Sequence, residues 1–296
     1  MATSIVPVNE NFGRNYEFSA GQKGKKGFLV GGRTGDQLHI SFSIEKTDTK
    51  TQNTAKVDIW NLSPAHVAEL EKSKCIVALK AGYGEHMSLI FAGQVSFCST
   101  INDNADRKTH IEIVDNLIST QDTYVTVSYK GKVTWRKIFD DTAKKMGVAI
   151  SYSANALKAL QKTLSKGYSY TGLAKNIFSK GCKCCGLTWS IQNGIVQVKK
   201  KNDSMSKVGY LLSSDTGMIG IPEKVTITDP DNSSKTYTGW DVTCFLNGAI
   251  NVNDYVKLKS KTKSGYFYVC SQQIEGDNVS GDWISRLRLR QLVKKK

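Results

Sequence analysis

The stretch LHISFSIEKTDTKTQNTAKVDIWNLS (38–63) decides the fold class. Leu38, Ile40, Phe42 and Ile44 alternate with His39, Ser41, Ser43 and Glu45, and Ala55, Val57 and Ile59 alternate with Lys56, Asp58 and Trp60. Successive side chains of an extended chain point to opposite sides, so a period of two predicts strands with one buried face. The polar segment TDTKTQ (47–52) joins the two strands as the loop of a hairpin. Trp60 is out of phase with the buried set, which leaves two readings open: a partner-facing or barrel-end side chain, or a local packing contact.

Downstream, NLSPAHVAELEK (61–72) predicts one short helix, because Ser63 is a good N-cap, Pro64 suits the first helical position, and Val67 and Leu70 form a short buried stripe. Strands resume at CIVALKAGY (75–83), SLIFAGQVSF (88–97) and KTHIEIVDN (108–116). This run of strands with a single short helix points to a compact, mostly antiparallel barrel or rolled sheet. An α/β protein would place a longer helix after each strand.

The middle of the chain differs in kind. TQDTYVTVSYK (120–130) reads as a strand leading into it, and in TWRKIFDDTAKKM (134–146) Trp135, Ile138, Phe139, Thr142 and Met146 share one helical face, with Thr134 as cap and Gly147 as stop. A second amphipathic helix runs through YTGLAKNIFSK (170–180) and ends at Gly181. LTWSIQNGIVQVKKK (187–201) is a hairpin turning at Asn193-Gly194 and closed by Lys199, Lys200 and Lys201. The last third returns to strands, including WDVTCFLNG (240–248), a hairpin over 251–277 turning near Ser264-Gly265, and WISRLRLRQL (283–292). There Leu287 and Leu289 alternate with Arg286, Arg288 and Arg290, which puts the arginines on one exposed face, either solvated or set against an acidic partner.

Residues 1–35 carry closely spaced glycines with Asn and Lys, and no G-x4-G-K-[S/T] phosphate loop, so they read as a flexible or partner-ordered arm. The formal charge of +15 is uneven: residues 1–120 are neutral, 121–210 carry +12 and 211–296 carry +3. Such a field attracts an acidic protein, nucleic acid or an anionic surface. Seven cysteines is an odd number; Cys75, Cys98, Cys244 and Cys270 stand alone, and Cys182, Cys184 and Cys185 lack the paired knuckles or nearby histidine of a zinc site. Buried thiols in a reducing compartment fit best, with no metal and no cofactor. The first residues lack a secretory pattern and no apolar run approaches the roughly 18 residues of a membrane span, so synthesis in a cytosol is expected.

Chemistry is hard to find. His39 and His110 fall on outward strand positions, His66 in a helical first turn and His86 in a turn, and none belongs to a catalytic motif. Asp140 and Asp141 are neighbours on a helix and splay apart, so they offset Lys137 and Lys144 rather than forming an acid/base pair. Glu275, Asp277 and Asp282 around Gly276 and Gly281 lack EF-hand spacing and read as an Asx-rich turn. No recognition helix or ribonucleoprotein motif accompanies the basic charge. A structural, non-enzymatic protein is the leading expectation, ahead of a nucleic-acid-binding module or a hydrolase.

The order of these features resembles the baseplate hub proteins of contractile phage tails, the late-control D or tail-hub superfamily. Relatives open their first barrel with a strand running into N-T-A-x-[V/I]-x-[I/V]-x-N-L-S, seen here as NTAKVDIWNLS (53–63). SSDTGMIGIPE (213–223), VTCFLNGAINVNDYVKL (242–258) and SGYFYVCSQQIEGDNVSGDW (264–283) match the final barrel in character. Gly248, Asn253 and Glu275 depart from the usual turn proline, glycine and histidine. The resemblance implies a mainly β fold with an α+β insert: an arm (1–35), a first antiparallel barrel-like ring domain (36–128), a basic insert (129–207), a second ring domain (208–293) and a basic tail (294–296). It further implies a homotrimer joining the tail tube to the central spike, with the tail tube or tube-initiator protein, the spike and baseplate wedge proteins as partners. On this reading the chain is made in the host cytoplasm, resides in the virion tail baseplate, and genome DNA passes through its ring without specific binding. A neighbouring distal-tail or tube-initiator subunit of the same stock is the alternative. Trp60, Arg286, Arg288, Arg290, Lys199, Lys200 and Lys201 are the candidate assembly residues.

Overall fold

The computed structural model describes residues 12–115, 123–201, 203–206, 209–229 and 232–291. The chain forms two compact units, one from residues 1–48, 53–115 and 206–296, the other from residues 49–52 and 116–205. The first stretch of the first unit holds β1 (Arg14–Gln22), β2 (Phe28–Gly31), β3 (Ile40–Thr47), β4 (Thr54–Trp60), α1 (Pro64–Leu70), β5 (Cys75–Tyr83), β6 (His86–Asp103) and β7 (Asp106–Val114). The insert follows as β8 (Tyr124–Tyr129), β9 (Val133–Thr134), α2 (Trp135–Met146), β10 (Ala149–Tyr152), α3 (Ala154–Ala159), β11 (Thr163–Leu164), β12 (Tyr168–Leu173), α4 (Ala174–Cys185), β13 (Leu187–Gln192) and β14 (Ile195–Lys200). The chain then returns to the first unit with β15 (Gly209–Leu212), β16 (Met218–Asp229), β17 (Asn232–Phe245), β18 (Tyr255–Lys259), β19 (Ser264–Asp277) and β20 (Trp283–Gln291). The protein is mainly β with a helix-containing insert, as the alternating stretches predict.

In the first unit a 13-stranded sheet runs β16-β17-β20-β19-β3-β4-β7-β6-β5-β1-β2, with β18 on β19 and β15 parallel to β18. The early and late segments each gather a hydrophobic cluster, one around Phe18, Ile40, Phe42, Val57 and Phe91, the other around Val242, Val256, Phe267 and Leu289. The alternation at 38–46 is what builds the first: Ile40, Phe42 and Ile44 are buried while Glu45 is exposed. β19 belongs to both halves. Its first part pairs with β18 through Tyr268 and its second part with β3 from Ser271 onward, and a register shift against β20 between Val269 and Ser271 marks the handover. Trp283 heads β20 in the late segment yet is buried in the early cluster, edge-on to Phe42 with centroids 5.3 Å apart. Gly276 on β19 lies against the Phe42 ring, where a Cβ would overlap it.

Three expectations shift. The glycine-rich N-terminal segment is sheet from Arg14 onward: β1 pairs with β5 along its whole length and carries β2 on its other side. Its glycines serve close approach, since a Cβ on Gly27 would run into the Ala20 carbonyl of the opposite strand. Residues 1–11 of the expected arm and the basic tail 294–296 lie outside the described residues. The strand at 124–129 pairs with β12, and so goes with the insert. The turn expected near Ser264-Gly265 closes earlier, with Ser260 N donating to the Lys263 carbonyl.

The insert packs α2 against α4. Trp135, Ile138, Phe139 and Met146 of α2 are buried with Ile177 and Phe178 of α4, and Phe139 meets Phe178 edge-on at 5.1 Å. Thr134 accepts from the Lys137 amide and Gly147 ends the helix in the left-handed region, as the cap residues require. The helix over α4 starts later and runs further than its apolar pattern predicts. Gly181 does not stop it, because Gly181 sits where a Cβ would strike the Trp135 and Phe139 rings; Gly186 is the stop. Asn193 and Gly194 both have positive φ, 51° and 75°, the two-residue turn expected between β13 and β14.

Candidate assembly surface

Across β16, β17, β20, β19, β3, β4, β7 and β6 the register sets up ladders of side chains on the face opposite the two clusters. One ladder runs Ile219, Thr243, Arg286, Gln273 and Glu45; the next runs Glu275, Ser43, Lys56, Glu112 and Phe97. The late part of this face forms a groove of about 730 Å³ lined by Glu45, Ile221, Asp241, Gln273, Arg286 and Arg288.

Two of the arginines stand in this groove as the alternation predicts, and both are matched by acids. Arg286 pairs with Glu275 at 2.5 Å and with Asp282 at 3.4 Å; Arg288 grips Asp241 with two hydrogen bonds of 2.8 Å. Arg290 corrects the expectation of three exposed arginines. It is only 6% exposed, with its guanidinium over the Tyr237 and Tyr268 rings at 5.3 and 5.2 Å and Asp48 at 3.7 Å. Parity sets the face a side chain points to, but neighbouring tyrosines decide whether that place is wet.

Trp60 packs locally. Its ring stacks on His39 at 3.9 Å, Lys108 lies over it at 5.8 Å, and Nε1 donates to Asp103. His39 also contacts the Asp277 carboxylate, whose pKa falls below its usual value because hydrogen bonds from the Ser280 and Val279 amides and from His39 outweigh the cost of burial. His110 faces Asp58 at 2.6 Å and His66 stacks on Phe28. Lys199 is 2% exposed on β14, Lys201 is half-buried and Lys200 is exposed, so the three lysines do not form one outward patch. Lys199 is buried out of phase with the inward pair Val196 and Val198, on the face of Ile195 and Gln197.

The register of β3 also marks a buried polar node: Lys46 continues the inward set Ile40, Phe42, Ile44. It is 2% exposed, with Nζ 3.3 Å from Asn251 Oδ1. Burial pulls its pKa down to about 8 against the attraction of Asp115 and Asp254. Burial likewise pushes Asp254 up to about 6, opposed by the Asn251 amide and Lys46. Asp115 accepts from the amide and side chain of Asn53. The N-T-A stretch therefore does more than start a strand: its Asn ties the end of β7 to the start of β4.

The seven cysteines are free thiols. Cys182 is buried, which pushes its pKa up to about 12, Cys185 is half-buried and Cys184 is exposed. Among the described residues no group of three or more His, Cys, Asp or Glu is placed to hold a metal ion. What the surface does offer is sheet edge. Among the described residues β16 ends the sheet, with β17 as its one partner strand, and Ile219 and Ile221 are exposed on it at 39% and 66%. On β6, beyond the part paired with β5, Phe97 and Ile101 are exposed at 51% and 54%. Unpaired backbone beside apolar side chains is the surface that a partner covers.

Comparison with known proteins points the same way. The family model described as Baseplate hub gp41 matches residues 25–265. Among solved structures, a tail protein from Neisseria meningitidis MC58 superposes with a TM-score of 0.61 at 11% identity, over 95% of this chain and 97% of that one. The 43 kDa tail protein of prophage MuSo2 from Shewanella oneidensis gives 0.59 at 10% identity, over 92% and 96%. The E. coli c3393 protein, a type VI secretion component described as similar to T4 tail proteins gp27 and gp5, gives 0.56 at 7% identity, over 88% and 76%. At these identities the likeness is one of fold. No curated protein matches in sequence.

Proposed function

We propose, on the premise that this chain belongs to the baseplate hub gp41 family, that it is a structural hub subunit of a phage or phage-like tail. Three copies form a ring that joins the tail tube to the central spike. The observation that carries this reading is the family match across both sheet halves and the insert, and the exposed edge of β16 supports it because a lone chain gains nothing from leaving such an edge bare. Early and late halves with their own clusters, sharing β19, suit two ring modules per subunit. The work is mechanical rather than catalytic. The partners are other copies of the chain, the tube or tube-initiator protein, the spike and the wedge proteins. The site of action is the virion tail baseplate, after synthesis in the host cytoplasm.

Genome DNA crosses such a ring without specific binding. The matched arginines of the groove agree with this, since a guanidinium already held by Asp241 or Glu275 is a poor phosphate ligand. The basic insert faces outward, toward wedge or other tail proteins, and a particle map with residues 129–207 in the lumen would overturn that placement. The ring itself is tested by sedimentation of the full chain, alone and with the spike protein: a mass of three copies, capped by the spike, is expected. A single-copy mass in both conditions refutes the ring.

A further inference from the structure

The insert's positive charge is gathered rather than spread. β9 pairs with β11 through Val133 and Leu164, and Trp135 N donates to the Lys162 carbonyl, which brings the loop carrying Lys130 and Lys132 beside the segment carrying Lys162 and Lys166. Lys162 Nζ donates to the Cys184 carbonyl at 3.2 Å and Lys180 lies 5.3 Å from the Tyr168 ring centre, which adds the last two turns of α4 with Lys180 and Lys183. All six lysines are exposed. The insert's described acids are engaged elsewhere: Asp140 with Tyr152 and Arg136, Asp141 with Lys137 and Tyr129, Asp203 with Ser153 and Asn155.

Three of the six have an internal use, Lys180 over the Tyr168 ring among them. Lys162 and Lys183 sit at the C-terminal end of α4, where a cation complements the helix dipole. Those roles leave Lys130, Lys132 and Lys166, on loops, without a reason to be basic. Like charges held this close repel one another and cost stability in the free chain, and a partner of opposite charge removes the cost.

We propose that this end of the insert is a docking surface for an acidic protein segment. This rests on the hub reading and names the chemistry of the partner the insert meets. A protein is favoured over nucleic acid by the composition of the patch. It is lysine throughout, with none of the bidentate arginine contacts that read bases, and its one aromatic, Tyr168, is taken up by Lys180 and by the Trp135 ring at 5.3 Å. Bases therefore find no free ring to stack on.

The test uses the full chain, a fluorescent polyglutamate peptide and a random-sequence DNA duplex as probes, at about 0.15 M salt, where charge steering is still felt. Replacing Lys130, Lys132, Lys166 and Lys180 by Gln is expected to weaken polyglutamate binding at least tenfold, with the circular dichroism spectrum and the sedimented mass unchanged. A control of equal charge loss, Lys144, Lys145, Lys158 and Lys200 to Gln, is expected to change it less than threefold. Equal losses in the two variants would show a response to net charge alone and overturn the site. Tighter binding of duplex than of peptide would overturn the choice of partner. The sedimented mass of the unsubstituted chain reports on the ring independently, so a failed patch and a failed ring give different results.

Discussion

Replacing Trp283 by alanine tests whether the early and late halves stand together. The indole is 2% exposed, edge-on to Phe42, and its Nε1 donates to the Gly82 carbonyl at 3.2 Å. Truncating a buried tryptophan costs about 3–5 kcal/mol. The lost aromatic pair adds roughly 0.5–1.5 kcal/mol, and the orphaned Gly82 carbonyl adds about 1 kcal/mol. A loss of about 6 kcal/mol is a large part of the ~5–15 kcal/mol that holds a typical domain folded. With a urea slope of about 3 kcal/mol per molar, the midpoint falls by roughly 2 M. Trp283→Phe keeps most of the buried area and loses the hydrogen bond, so it costs about 1–2 kcal/mol. The location of the loss is the sharper readout. Trp283 leads the strand whose Leu287 and Leu289 sit in the late cluster, so native-state hydrogen exchange should show protection falling together at Ile44 and Val57 and at Val256 and Leu258. A cost below about 1.5 kcal/mol, or loosening confined to the early amides, would refute the idea that this side chain locks the halves.

Other substitutions separate the ionic contacts by burial. Arg288→Ala breaks an exposed bidentate pair with Asp241 and should cost no more than about 1 kcal/mol, whereas Arg290→Ala removes a buried guanidinium from half-buried Asp48 and two tyrosine faces and should cost about 3 kcal/mol; equal values in urea melts would contradict this. Stability should also depend on pH through the buried node. Lys46 titrates near 8 in the fold and at 10.5 when free, so the unfolded chain binds the proton more tightly and stability rises as pH climbs from about 8 toward 10.5. Asp254 titrates near 6 against 3.8, so the fold binds the proton more tightly and stability falls as pH climbs from about 4 to 6. Lys46→Met should remove the alkaline rise and Asp254→Asn the acid fall; a flat wild-type profile would count against both. Gly181→Val drives a branched side chain into Trp135 and Phe139 and should destabilise the insert by about 1–3 kcal/mol, read by near-ultraviolet circular dichroism.

The strands were legible wherever one face is buried and the other is wet, because alternation then follows directly from the pleat. Residues 38–63 and 283–291 are of this kind. The N-terminal strands are not, since clustered glycines suggest freedom in a sequence whereas the smallness of Gly21 and Gly27 lets two backbones approach. Gly181 misled in the same way: as a helix stop it is persuasive in sequence, and only the rings of a neighbouring helix reveal it as a contact. For the candidate surface, parity placed Arg286 and Arg288 correctly, while the burial of Arg290 and Lys199 depends on neighbours that no local pattern names. Lys46 was readable from the register alone, yet a lysine at the end of an apolar set is easily taken for the strand's exit. The lysine end of the insert is assembled from loops and a helix far apart in sequence, so only the total charge announced it.

The shared strand β19 has a bearing on how such a chain carries load. Fourteen residues at about 3.4 Å each make a beam some 45 Å long, fastened at one end to β18 and at the other to β3. A thrust along it is resisted by two rows of backbone hydrogen bonds strained in shear, which must give way together, whereas a peptide tether would bend at the first push.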